Sequence, residues 1–224
     1  MEFSLEHMTV DPGADLIRVR LHERYGAPVE PQRLEPLDEL VRTILSQNTN
    51  DRNRDTAYRA LQGRFQNWEK MLEVSTEELA SIIAPAGLGP TKSRRIHSIL
   101  RQIYREGERD LLDLCALPGE RAMQRLLSLS GVGPKTAACV LLFSCRYPVF
   151  PVDTHIYRVA GRLGLLPDGA DRVKAHEVLG KILPPEHYLE LHLNIIRLGR
   201  EICRPSRPLC GECPMGDICP SAQK

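Results

Sequence analysis

Four cysteines crowd the end of the chain, in Cys203-Arg-Pro-Ser-Arg-Pro-Leu-Cys210-Gly-Glu-Cys213-Pro-Met-Gly-Asp-Ile-Cys219. They fall within seventeen positions, with six, two and five residues between successive cysteines, close enough to converge on one small centre. Thiolates favour zinc or iron–sulfur clusters, and the spacing alone leaves both open. Three prolines and two glycines bar the segment from a long helix, so a metal centre is the expected source of its order. Arg204 and Arg207 lie in the first cysteine loop, just beyond Arg200. Positive side chains on a pinned loop suit phosphate contacts, and a solvated turn is the competing reading. Cys115, Cys139 and Cys145 stand apart. The last two belong to the apolar run 137–145 and read as small buried hydrophobes without chemistry.

Two further residues could do chemistry. Lys135 follows Ser130-Gly131-Val-Gly133-Pro134, where glycines allow a tight turn and proline suits the first turn of the next helix. Gly131 and Gly133 can take positive φ and let another backbone approach, and the exposed N–H groups of a helix start favour a phosphate without reading sequence. A lysine there meets the positive helix end and the apolar Val132, Ala137 and Ala138, and both favour the free amine that a nucleophile needs. The competing reading is a solvated lysine that merely touches phosphate. Asp153, in Pro151-Val-Asp-Thr-His-Ile, precedes an apolar-periodic run and suits a helix N-cap. A carboxylate there could also stabilise positive charge developing on a sugar as an N-glycosidic bond breaks, and help take a proton from the lysine. His155 reads as a packed or capping histidine.

The elements that must position these groups are helices. Apolar residues recur at three- and four-residue spacing over 14–24, 37–46, 52–64, 76–84, 92–105, 121–129, 135–145, 154–163, 171–182 and 186–199. Breakers separate them at Gly26-Ala-Pro28, Gly87-Leu-Gly-Pro90, Leu117-Pro-Gly119 and Pro184-Pro185. Tyr147 to Val152 contains two prolines and reads as an extended connector, not a strand. The fold class is all-α. Gly87-Leu88-Gly89-Pro90 recurs as Gly131-Val132-Gly133-Pro134, each followed by a lysine and a helix, so two similar hairpins are expected, against two unrelated glycine turns.

Composition sets the frame. The 224 residues suffice for one large domain or two lobes, 42% are hydrophobic, and no run approaches the length of a membrane span. Residues 1–15 carry acids and lack the basic region and apolar core of a secretory signal, so a cytoplasmic, nucleoid-associated chain with reduced thiols is expected. The formal net charge of +1 argues mildly against a nucleic-acid partner, yet a local basic face can still bind phosphates.

Three motifs in this order, Leu129-Ser-Gly-Val-Gly-Pro-Lys135-Thr-Ala, Val152-Asp153-Thr-His-Ile-Tyr-Arg-Val and the four-cysteine box, resemble the endonuclease III family. The hairpin motif alone is moderately specific, and the three together are highly so. The resemblance runs from about Ala14 to Pro220 and implies a two-lobed helix-hairpin-helix glycosylase fold with DNA clamped in a cleft. It implies residues 35–134 as a helical-barrel lobe, and 1–34 with 135–224 as the other, carrying the box at 203–219. The first twelve residues fall outside it and are expected to be mobile. It implies a 4Fe-4S cluster on Cys203, Cys210, Cys213 and Cys219. Lys135 matches the nucleophile that attacks the sugar C1′, forms a Schiff base and allows β-elimination; Asp153 matches the assisting carboxylate. The implied partner is double-stranded DNA with damaged bases, above all oxidised pyrimidines, or abasic sites, bound by a monomer.

A flipped nucleotide leaves a gap that side chains must fill. Leu88 matches the family's wedge. The other filler departs from the pattern, because the family often reads Leu-Ser-x-Gln-x-x-Asp where this chain has Leu45-Ser-Gln47-Asn48-Thr-Asn-Asp51. Asn48 takes the glutamine position and Gln47 sits one earlier, so both stay open. Three other readings also stay open: an adenine-mismatch glycosylase, which usually lacks the lysine and carries a further domain; a glycosylase for alkylated or mismatched bases; and a non-catalytic DNA-binding or redox paralogue.

Overall fold

The structure, a computed structural model, describes residues 12–105 and 111–222. The helices in order are α1 (Pro12–Tyr25), α2 (Pro36–Leu45), α3 (Asp51–Arg64), α4 (Thr76–Ile82), α5 (Gly89–Tyr104), α6 (Gly119–Ser128), α7 (Pro134–Val140), α8 (Thr154–Arg162), α9 (Arg172–Ile182) and α10 (Tyr188–Glu201). Each matches a segment of helical apolar spacing. Among the described residues, five short 3-10 turns lie between or after them, the longest at Trp68–Glu73 and Leu111–Ala116, and α7 runs on as a π turn over Leu141–Cys145. Among the described residues there is no strand, and none of the helices is long and apolar enough to cross a membrane. The expected mobile tail lies, except for Pro12, outside the described residues.

Local chemistry sets the helix starts. Side-chain oxygens of Asn50, Ser75, Asp153 and Asp171 accept the backbone N–H three residues on, at the heads of α3, α4, α8 and α9. Each such cap contributes about 1 kcal/mol. Proline is the first residue of α2 and α7 and the second of α5, where its missing N–H costs nothing.

The chain divides into two compact units, residues 33–145 and residues 1–32 with 146–224. In the first, α2 is the central helix. Its Leu37, Leu40, Val41, Ile44 and Leu45 are at most 5% exposed, and it packs on α3, α5, α7 and the 111–116 turn. Truncating such a leucine, for instance Leu40→Ala, would cost about 2–5 kcal/mol. The boundary implied by the resemblance falls at Lys135, whereas the structural one falls after Cys145. The reason is packing: α7 lies on α2, and the π turn is tied back by a disulfide between Cys145 and Cys115. That bond corrects the expectation that Cys145 is a free buried hydrophobe. Cys139, 4% exposed and in no disulfide, fits it.

In the other unit α8 packs on α10 and α10 on α1, around Ile17, Leu21, Ile156, Val159, Leu191, Ile195 and Leu198. The connector before α8 is held by two histidines. His176 Nδ1 donates to the Phe150 carbonyl at 3.0 Å, and His192 Nδ1 to that of Pro151 at 3.1 Å. Phe150 meets the Tyr188 ring edge-on at 5.2 Å. These contacts fix the backbone that leads into Asp153.

Candidate functional site

Lys135 stands at the second position of α7 and is half-buried. The turn before it is built by Gly131, with φ +81°, and by Val132, which is 6% exposed and donates its N–H to Leu129. Gln102 accepts the N–H of Ser130 at 2.8 Å. The positive φ is what calls for glycine there; an added Cβ would also lie 2.9 Å from Nε of the Arg95 side chain, which would have to shift. Gly133 differs from expectation: its φ is −99°, and a Cβ would meet open space. Beneath the hairpin, Glu39 of α2 is 6% exposed and takes a hydrogen bond from the Thr43 hydroxyl at 3.1 Å. Burial pushes its carboxyl above the usual range, opposed by the nearby charges of Arg42, Arg54 and Lys135 and by the Thr43 bond. Glu39 and Lys135 are thus electrically coupled within one unit.

The two echoing turns put their middle residues to opposite uses. Val132 is buried, whereas Leu88 is 52% exposed with φ 52° and ψ 33°, capping α5. A left-handed leucine costs roughly 1–2 kcal/mol and gains nothing from exposure, so the turn is held there by its surroundings. Gly89 lets the chain pass Ala80, whose carbonyl oxygen would lie 2.9 Å from an added Cβ. Asn48 also has φ 52° and is exposed. Gln47 beside it is half-buried and accepts a 2.6 Å hydrogen bond from Arg95 Nη1. Lys92 is 1% exposed, and its Nζ donates to the carbonyls of Leu45 at 2.7 Å and Ala86 at 2.8 Å.

In the other unit Asp153 caps α8, with Oδ1 accepting from Ile156 N at 2.8 Å. Only one carboxylate oxygen serves the cap. His155 packs against Gly199 and contacts Arg158 Nη2 through Nδ1 at 3.1 Å, as a packed histidine should.

Cys203, Cys210, Cys213 and Cys219 are free thiols that line one cavity together with Val159, Leu163, Leu198 and Ile202. Burial pushes the Cys213 thiol above its ordinary pKa; a backbone hydrogen bond at Met215 opposes this, and the neighbouring Cys203, Cys219 and Cys210 add to it. Among the described residues, no group of three or more His, Cys, Asp or Glu stands as a ready site for a metal ion. The donor set fits a thiolate-bound centre all the same: four cysteines, none in a disulfide, around one mostly apolar hollow. Gly216 is required, since a Cβ there would come within 2.8 Å of the Cys210 carbonyl oxygen. The Arg204 and Arg207 side chains are exposed; Arg204 Nε donates to Glu201 O at 3.0 Å, and Arg207 holds φ 52°.

A family model described as HhH-GPD superfamily base excision DNA repair protein matches residues 41–185. The chain is 32% identical over 209 residues to the endonuclease III of Haemophilus influenzae, covering 93% of this chain and 95% of that protein. The chain belongs to the endonuclease III family. It is also 34% identical to a putative DNA glycosylase of Arabidopsis thaliana, over 84% of this chain and 61% of that longer protein. A solved structure described as a trapped endonuclease III–DNA covalent intermediate superposes with a TM-score of 0.76 at 27% identity, over 93% of this chain and 96% of that one.

As an endonuclease III family member the chain is a DNA glycosylase of base-excision repair, and its supports go beyond the residues that the motifs single out. Arg162 donates to the carbonyls of Arg204 and Pro205 at 2.6 and 2.9 Å and to Cys203 Sγ at 3.4 Å. Arg158 holds the Cys203 carbonyl, and Arg20 of α1 holds Pro214 and pairs with Asp217. The i, i+4 spacing of Arg158 and Arg162 on the helix headed by Asp153 was a usable signal. Nothing in the sequence marked Glu39 or Arg95, and Lys92 stood out only as the lysine that follows the sister turn.

Proposed function

We propose that this endonuclease III relative is a bifunctional glycosylase and abasic-site lyase, which releases oxidised pyrimidines from double-stranded DNA through a Schiff base on Lys135. The observation that carries this reading is Lys135 itself, half-buried at the second position of the hairpin helix and flanked in sequence by the buried Val132, Thr136, Ala137 and Ala138. A free amine is a nucleophile, and an apolar, partly desolvated setting favours that form. Lys135 Nζ attacks the sugar C1′; the glycosidic bond breaks and the base leaves with a proton. Ring opening turns the adduct into an imine. Loss of a C2′ proton then expels the 3′ phosphate, and water frees the lysine. Asp153 contributes its carboxylate to the positive charge that builds on the sugar.

Leu88 and Asn48 suit the gap left by a flipped nucleotide, since both side chains are exposed on left-handed turns. The backbone from Gly131 to Gly133 suits a phosphate contact, as do Arg204 and Arg207 on the cysteine loop. Cys203, Cys210, Cys213 and Cys219 would hold a 4Fe-4S cluster, which would supply the rigidity that this proline- and glycine-containing loop lacks.

The test is borohydride reduction of the purified protein on duplexes carrying an oxidised pyrimidine, an alkylated base, a mismatched thymine or an abasic site. A covalent adduct on the oxidised pyrimidine and the abasic site is expected. Base release with neither adduct nor strand cleavage would assign a monofunctional glycosylase, and binding with no release a non-catalytic paralogue.

A further inference from the structure

We propose that Lys92 is a positioning residue for base extrusion, whose ammonium fixes the spacing between the turn that carries Asn48 and the turn that carries Leu88. This rests on the reading of those two residues as gap fillers. The Lys92 side chain is 1% exposed and its Nζ lies 2.7 Å from the Leu45 oxygen and 2.8 Å from that of Ala86. Leu45 is the last residue of α2, three before Asn48, and Ala86 is two before Leu88. One cation therefore bridges the backbones that launch both fillers.

Several independent observations favour a positioning role over simple packing. Asn48 and Leu88 share the same left-handed φ of 52°. A leucine held in that region persists only where its surroundings over-determine it. The Lys92 side chain is bonded to the backbone that leads into both turns. Burying an ammonium is costly, and a methionine of similar length would fill the same space without that cost. Joining two carbonyl groups from segments far apart in sequence takes a side chain with more than one donor, which methionine lacks and the lysine ammonium supplies. Burial lowers its pKa to about 8, in keeping with that desolvation. Arg95, one turn along α5, extends the arrangement by holding Gln47 and packing under Gly131. The same geometry removes Lys92 as a rival nucleophile, because its nitrogen is enclosed and engaged.

The test is a double-mutant cycle on the full-length, cluster-loaded protein, with Lys92→Met, Leu88→Ala and the double variant. Two readouts are compared: single-turnover release from a thymine glycol·adenine duplex, and borohydride trapping on an abasic duplex, where no base must leave. Each single change is expected to lower release at least about tenfold more than trapping, because extrusion is what suffers. The double variant should fall no more than about twofold below the worse single, since both changes disable one device. Lys92→Gln, which keeps amide donors, should recover part of the loss, and it takes the place of Lys92→Met in the cycle if that variant does not fold. With Leu88→Ala selective for release, equal losses on both substrates for the Lys92 variant, or additive losses in the double, would overturn the proposal. A Leu88→Ala loss that is equal on both substrates would overturn the wedge reading first, and this proposal with it.

Discussion

Arg95 holds the side chain of Gln47 by a 2.6 Å hydrogen bond from Nη1 to Oε1. A glutamine so engaged would have to give up a charge-assisted bond, worth about 1.5–3 kcal/mol, before entering a DNA gap. Asn48, exposed and left-handed, needs no such release. Asn48→Ala is therefore expected to slow base release from a paired lesion about tenfold, and Gln47→Ala much less. Single-turnover release on one duplex ranks the two, and the reverse order would make Gln47 the filler.

Glu39 links stability to pH. Burial raises its folded pKa above the usual 4.5, so the folded state holds the proton more tightly than the unfolded chain. The stabilising contribution is then fully present below the unfolded value and is lost as pH rises through the raised folded one. Glu39→Gln removes this dependence. Its melting temperature should fall less than that of the wild type as pH rises from acid toward neutral, in calorimetric scans at matched ionic strength. Parallel curves for the two proteins would mean that Glu39 does not bind its proton as its burial requires.

The longer helices were legible because amphipathic periodicity over ten or more residues is a strong signal. α2 and α10 show their buried faces in the sequence alone. The 3-10 turns at Trp68–Glu73 and Leu111–Ala116 were not, since six residues with i, i+3 bonding leave no comparable pattern. The motif residues Lys135, Asp153 and the four cysteines sit in settings that suit their proposed roles, but their supports were hidden. Lys92 occupies the place in its turn that makes it look like a second Lys135, and only the carbonyls of Leu45 and Ala86 reveal its different use. The Cys115–Cys145 pairing was equally hidden, because the partners lie thirty residues apart and meet through packing on α2.

The cysteine box predicts a brown protein with broad absorbance near roughly 400 nm, containing iron and inorganic sulfide. Cys203→Ala, Cys210→Ala, Cys213→Ala and Cys219→Ala should each lose the colour and most of the soluble yield. Cys139→Ala should keep both and lose no more than about 1–2 kcal/mol of stability. Cys115→Ser should keep the colour too, while losing roughly 3–4 kcal/mol with the loop constraint. Metal analysis after anaerobic purification checks the set; stoichiometric zinc without iron would replace the cluster with a zinc site.

The most direct measurement is borohydride trapping of the wild type and of Lys135→Gln on the same abasic duplex. Glutamine keeps polarity at the second position of α7 and removes the nucleophilic amine. The wild type is expected to give a covalent protein–DNA band and strand cleavage, whereas Lys135→Gln gives neither and still binds the duplex. A covalent band of undiminished yield from Lys135→Gln would contradict the account, because another amine would then be forming the Schiff base.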